Sequence, residues 1–365
     1  MKTGDKAIMA LAVAVILASS AVYILQMPEK EPDDVTVGDL TYSGSLAAGG
    51  VSGTCVSGSA ILTYGNGGTS TQWYVKDLSA TAFVQSGTVY TERGYELSSS
   101  GTTLTVVTPG YYAVRISDGS TTVEGNIVLD GTVTRSYSWS QTVGWTTYSY
   151  SFDFTYDFSS YLEYSQADAV RHTTSTLKDS RFAVVDSDME RLEDLLAAEY
   201  LEVRGSAAST DQSYADFLLS FVQCCIDYPT AIAKGADGYY RESDSGNGDT
   251  YLYGQSEYWA YPMETINMGE GDCEDTSFLL AALYSAAGYT AGVAVLPGHM
   301  VALVGLDSFT QTSVYGYTYT AMTITATGEY IYFCETTTSR FVPVGYLTYD
   351  VHQDVMELDE VSLVG

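Results

Sequence analysis

Three kinds of hydrophobic pattern follow one another along this chain. An uncharged, largely apolar run extends from Ala7 to Gln26 and is long enough to cross a bilayer as a helix. From about residue 35 to 134, short stretches alternate apolar and polar positions between turn signals, and β-branched and aromatic residues are enriched. This alternation predicts an all-β, sandwich-like domain. Low-complexity disorder is the alternative, but tracts such as TVVTPGYYAVRI have a face that must be buried.

Beyond residue 135 the apolar residues recur three and four positions apart, which is typical of helices. This spacing predicts helices at 188–203, 213–228 and 273–287, and strands at AGVAVLP, HMVALVGL and EYIYFCET. Helices packed on an antiparallel sheet form an α+β domain. The stretch 229–260 is rich in Gly and Tyr and is predicted to be an irregular insert. Its DSGNGD run lacks the ligand spacing and closing glutamate of an EF-hand, which favours an ordinary loop over a calcium site.

These patterns divide the chain into four predicted segments. They are an N-terminal transmembrane anchor (1–27), a charged Pro-containing linker (28–34), the all-β domain (35–134) and the α+β domain (135–365). A cleaved signal peptide ending near Ala18–Ala21 is the alternative to the anchor, although the apolar run continues past that point. Both alternatives place the folded part outside the cytoplasm, and the anchor predicts a single-pass protein of the cell membrane.

The charge of the chain excludes one class of partner. Lys and Arg number 15 against 45 Asp and Glu, so the formal net charge is −30. A surface this negative repels polyanions, and nucleic acid binding is therefore not expected. The hydrophobic fraction of 45% is enough to form a folded core, so the acidic residues belong on a folded surface.

The chain contains five cysteines, an odd number, and no CxxC pair. Their spacing gives no support to a zinc site, and neither a metal nor a cofactor is expected. Outside the cytoplasm at most two disulfides can form, which leaves at least one thiol free for chemistry. Cys55, Cys224 and Cys225 are interpreted as inert core residues.

The setting of Cys273, in GDCED, is different. Gly271 and Asp272 break the chain directly before it, and an apolar helical run follows it. Cys273 is therefore predicted in the first turn of a buried helix, where unpaired N–H groups and the helix dipole favour a thiolate. The neighbouring acids are predicted to cap the helix, but their charges oppose the thiolate. A nearby base is needed to activate the thiol.

His299 is the predicted base, because it opens the strand after the turn Pro297-Gly298 and can meet a helix N-terminus at the rim of the sheet. His172 and His352 have no comparable context.

An imidazole base needs a third group to orient it. Asp307 lies about 26 Å further along the same strand at about 3.3 Å per residue, too far to do so. Glu335 ends a later strand, and antiparallel pairing would bring it beside His299, with Cys334 pointing to the opposite face.

Four stretches, YPMETI, GDCEDTSFLLAALYSAAGY, LPGHMVALVG and YFCETT, resemble blocks of the transglutaminase-like cysteine protease superfamily in its prokaryotic membrane-anchored or secreted branch. The resemblance covers roughly residues 140 to 345. It implies a papain-like core and acyl transfer through a thioester, with Cys273 as nucleophile, His299 as base and Glu335 as third member. The family more often has Asp in that third place. The FVQ of SFVQCCIDY also resembles a family block and suggests that Gln223 donates to the oxyanion beside the backbone N–H of Cys273.

Two function classes follow. The first is an extracytoplasmic thiol enzyme acting on peptide or glutamine-type amides, as a cysteine peptidase or amidase or as a cross-linking transglutaminase. Its substrate would be a protein or a cell-envelope peptide. The second is a non-catalytic surface module for binding or scaffolding, because a fold alone does not prove activity.

Overall fold

A computed structural model describes residues 34–175, 178–205, 212–324 and 328–364. The predicted anchor (1–27) lies outside these ranges, as does the predicted linker except for Asp34. Within the described ranges, none of the helices combines the length and the apolar character that a membrane crossing requires. The fold is α+β with mostly antiparallel sheets, which confirms the predicted class.

The chain divides into two compact units. Among the described residues, the first takes in 34–75, Tyr95–Thr108 and Ala113–Leu129. The second takes in Lys76–Gly94, Pro109–Tyr112 and the described residues from Asp130 onward.

Two antiparallel sheets and one short helix, α1 (Ser45–Ala48), lie wholly or mainly in the first unit. One sheet has the strand order β1-β2-β11-β10-β5-β8 and the other the order β3-β4-β9. Leu62, Trp73 and Ile127 are fully buried, so the alternating strands do bury one face. The strands are β1 (Val35–Val37), β2 (Leu40–Tyr42), β3 (Val51–Val56), β4 (Ser59–Tyr64), β5 (Gln72–Asp77), β8 (Glu96–Ser100), β9 (Thr103–Val106), β10 (Gly110–Ser117) and β11 (Thr122–Leu129).

The second unit contains the remaining helices. They are α2 (Phe158–Ser165), α3 (Ser187–Arg204), α4 (Gln212–Cys225), α5 (Gly248–Tyr253), α6 (Pro262–Met268), α7 (Cys273–Ala286) and α8 (Tyr349–Asp354), with 3₁₀ turns at Asp179–Phe182 and Val355–Glu357. Local sequence sets their ends. The carboxylate of Asp186 accepts hydrogen bonds from the N–H groups of Asp188 and Met189 at the start of α3, and Gly205 ends that helix with φ 69°.

The central sheet of the second unit has five antiparallel strands in the order β19-β20-β17-β16-β22. Two smaller sheets, β14-β15-β7-β6 and β18-β21, and the hairpin β12-β13 complete the unit. The strands are β6 (Phe83–Ser86), β7 (Val89–Glu92), β12 (Thr132–Val143), β13 (Thr146–Asp157), β14 (Ile232–Lys234), β15 (Tyr240–Glu242), β16 (Ala291–Leu296), β17 (His299–Gly305), β18 (Tyr317–Tyr319), β19 (Ala321–Thr323), β20 (Tyr330–Cys334), β21 (Tyr346–Thr348) and β22 (Glu360–Leu363).

The main hydrophobic core lies between the helices and one face of the five-stranded sheet. Side chains alternate along β17, so Met300 and Ala302 join the core that includes α7, while Val301 and Leu303 pack into a second cluster with Leu347. Helix α7 is itself buried along its length, which holds its first residue in a fixed place relative to the start of β17.

The aromatic hairpin β12-β13 supplies the other side of this core against α4. The indole N–H of Trp139 donates to the hydroxyl of Ser220 at 3.0 Å, inside the core. The rings of Phe217 and Phe221 pack against the same indole. The hairpin therefore fixes the helix that carries Gln223.

Three features differ from the sequence prediction because short elements leave weak patterns. The predicted irregular insert 229–260 contains β14, β15 and α5. Helices α2 and α6 were not predicted, although α6 has Pro at its first turn and Glu264 accepting from the N–H of Tyr261. The longest stretch of the second unit begins at Asp130, and β12 continues through the predicted boundary at 134/135.

Candidate active site

Helix α7 begins at Cys273, the position that the sequence predicts. The side chain of Cys273 is 8% exposed. The N–H groups of the first helical turn have no partner inside the helix, so that of Cys273 is free of helical hydrogen bonding. Asp272 occupies the cap position, but its side chain makes no capping hydrogen bond, so the predicted capping role of this acid is wrong. The burial of α7, which packs its body against the core, accounts for a helix start that lacks this cap.

The turn before α7 is tied to the end of α4. Asp227 donates its N–H to the carbonyl of Gly269 and accepts from the N–H of Gly271, both at 3.0 Å. A side chain at position 271 would place its Cβ 2.8 Å from Cβ of Asp275, so only glycine fits this turn. These contacts fix the path of the backbone into Cys273.

The thiol of Cys273 contacts an acid, and the helix that carries it is bonded to the sheet. The S–H of Cys273 donates to Oε2 of Glu274 at 2.8 Å. The hydroxyl of Ser277, in the same helix, donates to the carbonyl of Met300 at 3.3 Å. Burial raises the pKa of the thiol well above its usual value, and the charges of Glu274 and Asp272 raise it further. Desolvation and the two acids outweigh the helix dipole, so the structure favours a neutral thiol at this helix start. The proton stays on the sulfur, which donates it to the carboxylate of Glu274 in a hydrogen bond.

Replacing Glu274 with Gln is expected to make the Cys273 thiol more reactive. The amide removes the nearest negative charge and the charged acceptor of the thiol proton, so the pKa of the thiol falls. A fall of one unit increases the thiolate fraction about tenfold at neutral pH, and the alkylation rate follows it. The measurement is the rate of iodoacetamide modification of Cys273 at pH 7 in metal-free buffer, by mass spectrometry. Glu270→Gln, in the preceding turn, is the matched control, and an unchanged or lower rate in Glu274→Gln would refute the assignment.

His299 and Glu335 form a largely buried ion pair at one end of the central sheet, where β17 starts and β20 ends. Nε2 of His299 lies 3.0 Å from Oε2 of Glu335, whose side chain is 3% exposed. The register pairs Ala302 with Cys334 in antiparallel strands, so the start of β17 meets the end of β20. Cys334 joins the helix-side core, opposite to Phe333. The strand pairing predicted from the sequence is confirmed.

This pair changes the acidity of both groups. Burial lowers the pKa of His299, but the hydrogen bond and charge of Glu335 outweigh burial, so the net pKa is raised. Burial raises the pKa of Glu335, and the hydrogen bond and charge of His299 with the bonds of Thr337 reverse this, so the net pKa is lowered. The arrangement therefore favours an imidazolium beside a carboxylate. Because Nε2 faces Glu335, Nδ1 is the nitrogen left for other chemistry.

Glu335 is itself held from two sides. Its Oε1 accepts from the hydroxyl of Thr337 at 2.7 Å and from the N–H of Thr337 at 3.0 Å. Its backbone carbonyl accepts from Nε2 of Gln223 at 2.6 Å. One carboxylate oxygen thus bonds to Thr337 in the same turn, and the other is directed at His299.

The predicted oxyanion role of Gln223 is wrong for this structure. Its two amide hydrogens are donated to the carbonyls of Glu335 and Val342, and its Oε1 accepts from the N–H of Val342 at 3.0 Å. With both hydrogens used and the side chain 3% exposed, the amide has no donor left for a substrate. Gln223 instead fixes the segment that carries Glu335, so it is a positioning residue.

A small cavity of about 100 Å³ lies beside the N-terminus of α7. It is bounded by the end of α4, by Gly271 and Thr276, and by the segment 336–339. Its walls are rich in hydroxyl groups, with Asp227 as their charged residue. The cavity has the polarity to take a small polar group near the first turn of α7, between Gly271 and Thr276.

Several acids surround the start of α7. Burial raises the pKa of Asp249 to about 8, and it raises the pKa of Asp272 and Asp275 well above the usual range, with the charges of nearby acids such as Glu274 adding to each shift. Two groups of three side chains lie within 4.8 Å of one another at their ligand atoms, namely Asp272-Cys273-Glu274 and Asp249-Asp272-Asp275. The spacing of acids along the sequence did not predict either group.

The other candidate groups are bonded to other partners or exposed. His172 is exposed and bonds the carbonyl of Thr173, while His352 bonds the hydroxyl of Thr320. Asp307 is exposed beyond the end of β17. All five cysteines fall within the described ranges, and each is a free thiol rather than half of a disulfide.

Sequence reasoning missed three residues of this site. Glu274 was treated as a helix-start acid, yet its carboxylate accepts the hydrogen bond of the thiol. Thr337 holds Glu335, and the ETT run was its only local signal. Asp249 lies 24 residues before Cys273 in a stretch predicted to be a loop, and no signal in the sequence connects it to the site.

Comparison with known proteins adds no relative to this picture. Neither the models of protein families, nor the curated proteins, nor the solved structures give a match to this chain.

Proposed function

We propose that this protein is a thiol-dependent enzyme of acyl transfer, acting on peptide or glutamine-type amides through Cys273, His299 and Glu335. The observation that carries the proposal is the His299–Glu335 pair, because both strand ends that carry it are bonded to the first turn of the cysteine helix. The hydroxyl of Ser277 donates to the carbonyl of Met300 at 3.3 Å, and the hydroxyls of Thr276 and Thr336 are bonded at 2.8 Å. An oriented imidazole near a thiol at a helix N-terminus is the arrangement that nucleophilic catalysis by cysteine requires.

The chemical steps use the groups in order. Nδ1 of His299 accepts the thiol proton while sulfur bonds to the amide carbonyl carbon, and the backbone N–H of Cys273 donates to the oxyanion. The C–N bond then breaks, and the leaving amine takes the proton from the imidazolium. Water attacks the thioester with His299 as base, which releases a carboxylic acid and restores the thiol. An amine in place of water gives cross-linking by the same groups.

Glu335 and Gln223 act on the imidazole and not on the substrate. The carboxylate fixes the tautomer with its proton on Nε2 and stabilises the imidazolium that forms. Gln223 holds the backbone of Glu335, so the orientation of His299 depends on an amide that never meets the reacting atoms.

The wider picture rests on the same proposal. A papain-like, transglutaminase-like core is supported by a helix that carries the thiol and an antiparallel sheet that carries the base and the acid. The two sheets of the first unit support a sandwich-like module. We place these units outside the cytoplasm, on a cell-membrane anchor formed by residues 1–27, with a protein or cell-envelope peptide as substrate.

A non-catalytic binding or scaffold module is the second candidate. The observation in its favour is the state of the thiol, which is buried and bonded to Glu274 with a raised pKa. A catalytic protein must transfer that proton to His299 when substrate binds, whereas a scaffold has no need to do so.

Labelling separates the two candidates. A peptidyl vinyl sulfone, which places an electrophile where an amide would bind, is expected to modify Cys273 faster than any other cysteine. His299→Ala should slow this reaction by about 100-fold or more, because the base is lost. Modified residues are identified by mass spectrometry, with Cys55→Ala as the control that leaves labelling intact. Equal labelling of all thiols, or labelling that does not depend on His299, would favour the scaffold.

A further inference from the structure

The cavity beside the first turn of α7 is lined by polar side chains whose hydrogens are already used inside the protein. The hydroxyl of Thr276 donates to the carbonyl of Asp272 at 2.6 Å. It lies 2.8 Å from the hydroxyl of Thr336, and since the hydrogen of Thr276 is used, Thr336 is the donor in that bond. Gln223, which also lines the cavity, donates both of its amide hydrogens to backbone carbonyls.

The segment 336–339 continues this pattern. The hydroxyl of Thr337 donates to Oε1 of Glu335 at 2.7 Å, and that of Thr338 donates to the carbonyl of Arg340 at 2.9 Å. A hydroxyl has one hydrogen and two lone pairs, so these side chains can only accept a further hydrogen bond. The walls formed by the four threonines therefore suit a group that donates hydrogen bonds and accepts none.

Asp227 adds a negative charge to these walls. Among the described residues, its carboxylate takes part in no ion pair and accepts no hydrogen bond. Its backbone is nonetheless fixed, because the N–H donates to the carbonyl of Gly269 and the carbonyl accepts from the N–H of Gly271. A carboxylate on a fixed backbone, beside hydrogen-bond acceptors, favours a cation as its partner.

Tyr228, the next residue, lines the cavity as well and is 54% exposed. The face of its ring attracts the charged group of a lysine or an arginine. Partial burial raises the pKa of its hydroxyl, and the negative charges that Cys273, Asp272 and Glu274 carry when ionised raise it further, so the potential around Tyr228 is negative. The hydroxyls of Tyr228 and Ser339, the other two in the lining, belong to exposed residues and can be hydrated.

We propose that this cavity is a specificity subsite for the cationic head of a Lys or Arg side chain in the peptide substrate, with Asp227 as the residue that selects it. Ammonium and guanidinium groups carry hydrogen-bond donors and no acceptor, which matches the threonine walls. The free volume of about 100 Å³ has room for roughly seven to ten water molecules, enough for such a head group but not for a longer stretch of peptide. The inference rests on the proposed function, because Gly271 and Thr276 place the cavity at the helix turn that carries Cys273.

Turnover of matched peptides tests the subsite. The full chain is assayed in 0.15 M KCl, where attraction by the acidic surface is screened beyond about 8 Å. Glutamine-containing peptides carry at one varied position Lys or its uncharged analogue norleucine, and Arg or its uncharged analogue citrulline. At the position that enters the cavity, kcat/KM is expected to be about 10-fold higher for Lys than for norleucine and for Arg than for citrulline.

Two variants locate the preference. In Asp227→Asn both ratios should fall to about one, and the unfolding midpoint should stay close to that of the unaltered chain, because the carboxylate bonds no described residue. Asp244→Asn is the matched control. It removes one exposed charge that does not line the cavity, and it should keep both ratios.

A binding measurement separates the subsite from the thiol chemistry. Saturation-transfer NMR is recorded on the Cys273→Ala chain with Nα-acetyl-lysine amide or Nα-acetyl-norleucine amide. Transfer to the ε-methylene protons of the lysine compound is expected, and adding Asp227→Asn should reduce it about 10-fold. If this signal depends on Asp227 while the unaltered chain turns over no peptide, the subsite stands and the proposed function fails.

Four results overturn the proposal. Equal kcat/KM for charged and uncharged peptides leaves the thiol chemistry without this subsite. A preference for Lys without one for Arg identifies an amine that attacks the thioester, because a guanidinium is not a nucleophile. Preferences that persist in Asp227→Asn come from the acidic surface as a whole. The absence of both turnover and lysine binding removes the subsite together with the proposed function.

Discussion

Cys273→Ala is expected to abolish turnover of amide substrates, with a loss of about 10⁴ to 10⁶ in kcat. The thiol supplies the only protein atom that bonds to the acyl group in the proposed reaction. An oriented imidazole alone cannot replace it. Removal of a nucleophile from other catalytic triads has effects of this size. The residual rate would come from the oxyanion donors and from substrate binding.

Turnover can be measured with a class of substrates, so no individual substrate has to be known. Pools of glutamine-containing peptides are incubated with the protein, and both free ammonia and new amino termini are followed over time. Cys55→Ala, which removes a half-buried thiol from β3 in the first unit, is the matched control and should keep full activity. If Cys273→Ala retains turnover within tenfold of the unaltered chain, another residue is the nucleophile.

Glu335→Gln is expected to reduce turnover by about two to four orders of magnitude while the fold is kept. The amide preserves the shape of the side chain but removes the charge that stabilises the imidazolium 3.0 Å away. It can also present N–H to Nε2 of His299, which favours the wrong tautomer. The loss should lie mainly in kcat, because Glu335 does not contact the substrate.

The dependence of kcat/KM on pH tests whether Glu335 acts through His299. In the proposed reaction His299 must be neutral to accept the thiol proton, so kcat/KM rises as pH passes upward through its pKa. Glu335 raises that pKa, so the rising limb should move to lower pH in Glu335→Gln. Asp307→Asn, which changes an exposed acid beyond the end of β17, should change neither the rate nor the limb. An unmoved limb in Glu335→Gln would show that the pair does not set the acidity of the base.

The His299–Glu335 pair also makes the free energy of unfolding depend on pH. The raised pKa of His299 adds stability that is full below its unfolded value of 6.5 and is lost as pH rises through the folded pKa. The lowered pKa of Glu335 adds stability that is present above 4.5 and is lost as pH falls through the folded pKa. The free energy of unfolding should therefore differ most between the unaltered chain and Glu335→Gln from about pH 4.5 to 6.5.

The sequence was sufficient to place His299 and Glu335, because alternation along a strand and antiparallel pairing are regular. One register determines which strand end meets which strand start, and that register follows from the buried faces of β17 and β20. The α+β class follows from the same periodicities. Helix α7 also follows, because its apolar run is long and its break at Gly271-Asp272 is sharp.

The electrostatic state of the site could not be predicted in the same way. Whether the start of α7 favours a thiolate depends on desolvation and on the directions of Asp272 and Glu274, which are properties of packing. Asp249 reaches the cluster through α5, a helix of six residues whose pattern is too short to recognise. Gln223 was assigned as a donor from a local block, but the partners that use its hydrogens come from a distant segment.

The distance along the chain between Gln223 and its partners determines when the site is completed during synthesis. The amide of Gln223 bonds backbone groups 112 and 119 residues further along the chain. During synthesis the thiol and the imidazole emerge before Glu335 and Val342, and the loops that join such separated contacts close late because their entropy cost comes first. A nascent chain thus carries nucleophile and base without the group that orients them. Under the proposed function, amide cleavage begins only once the last segments have folded, so the protein is protected from its own chemistry while it is being assembled.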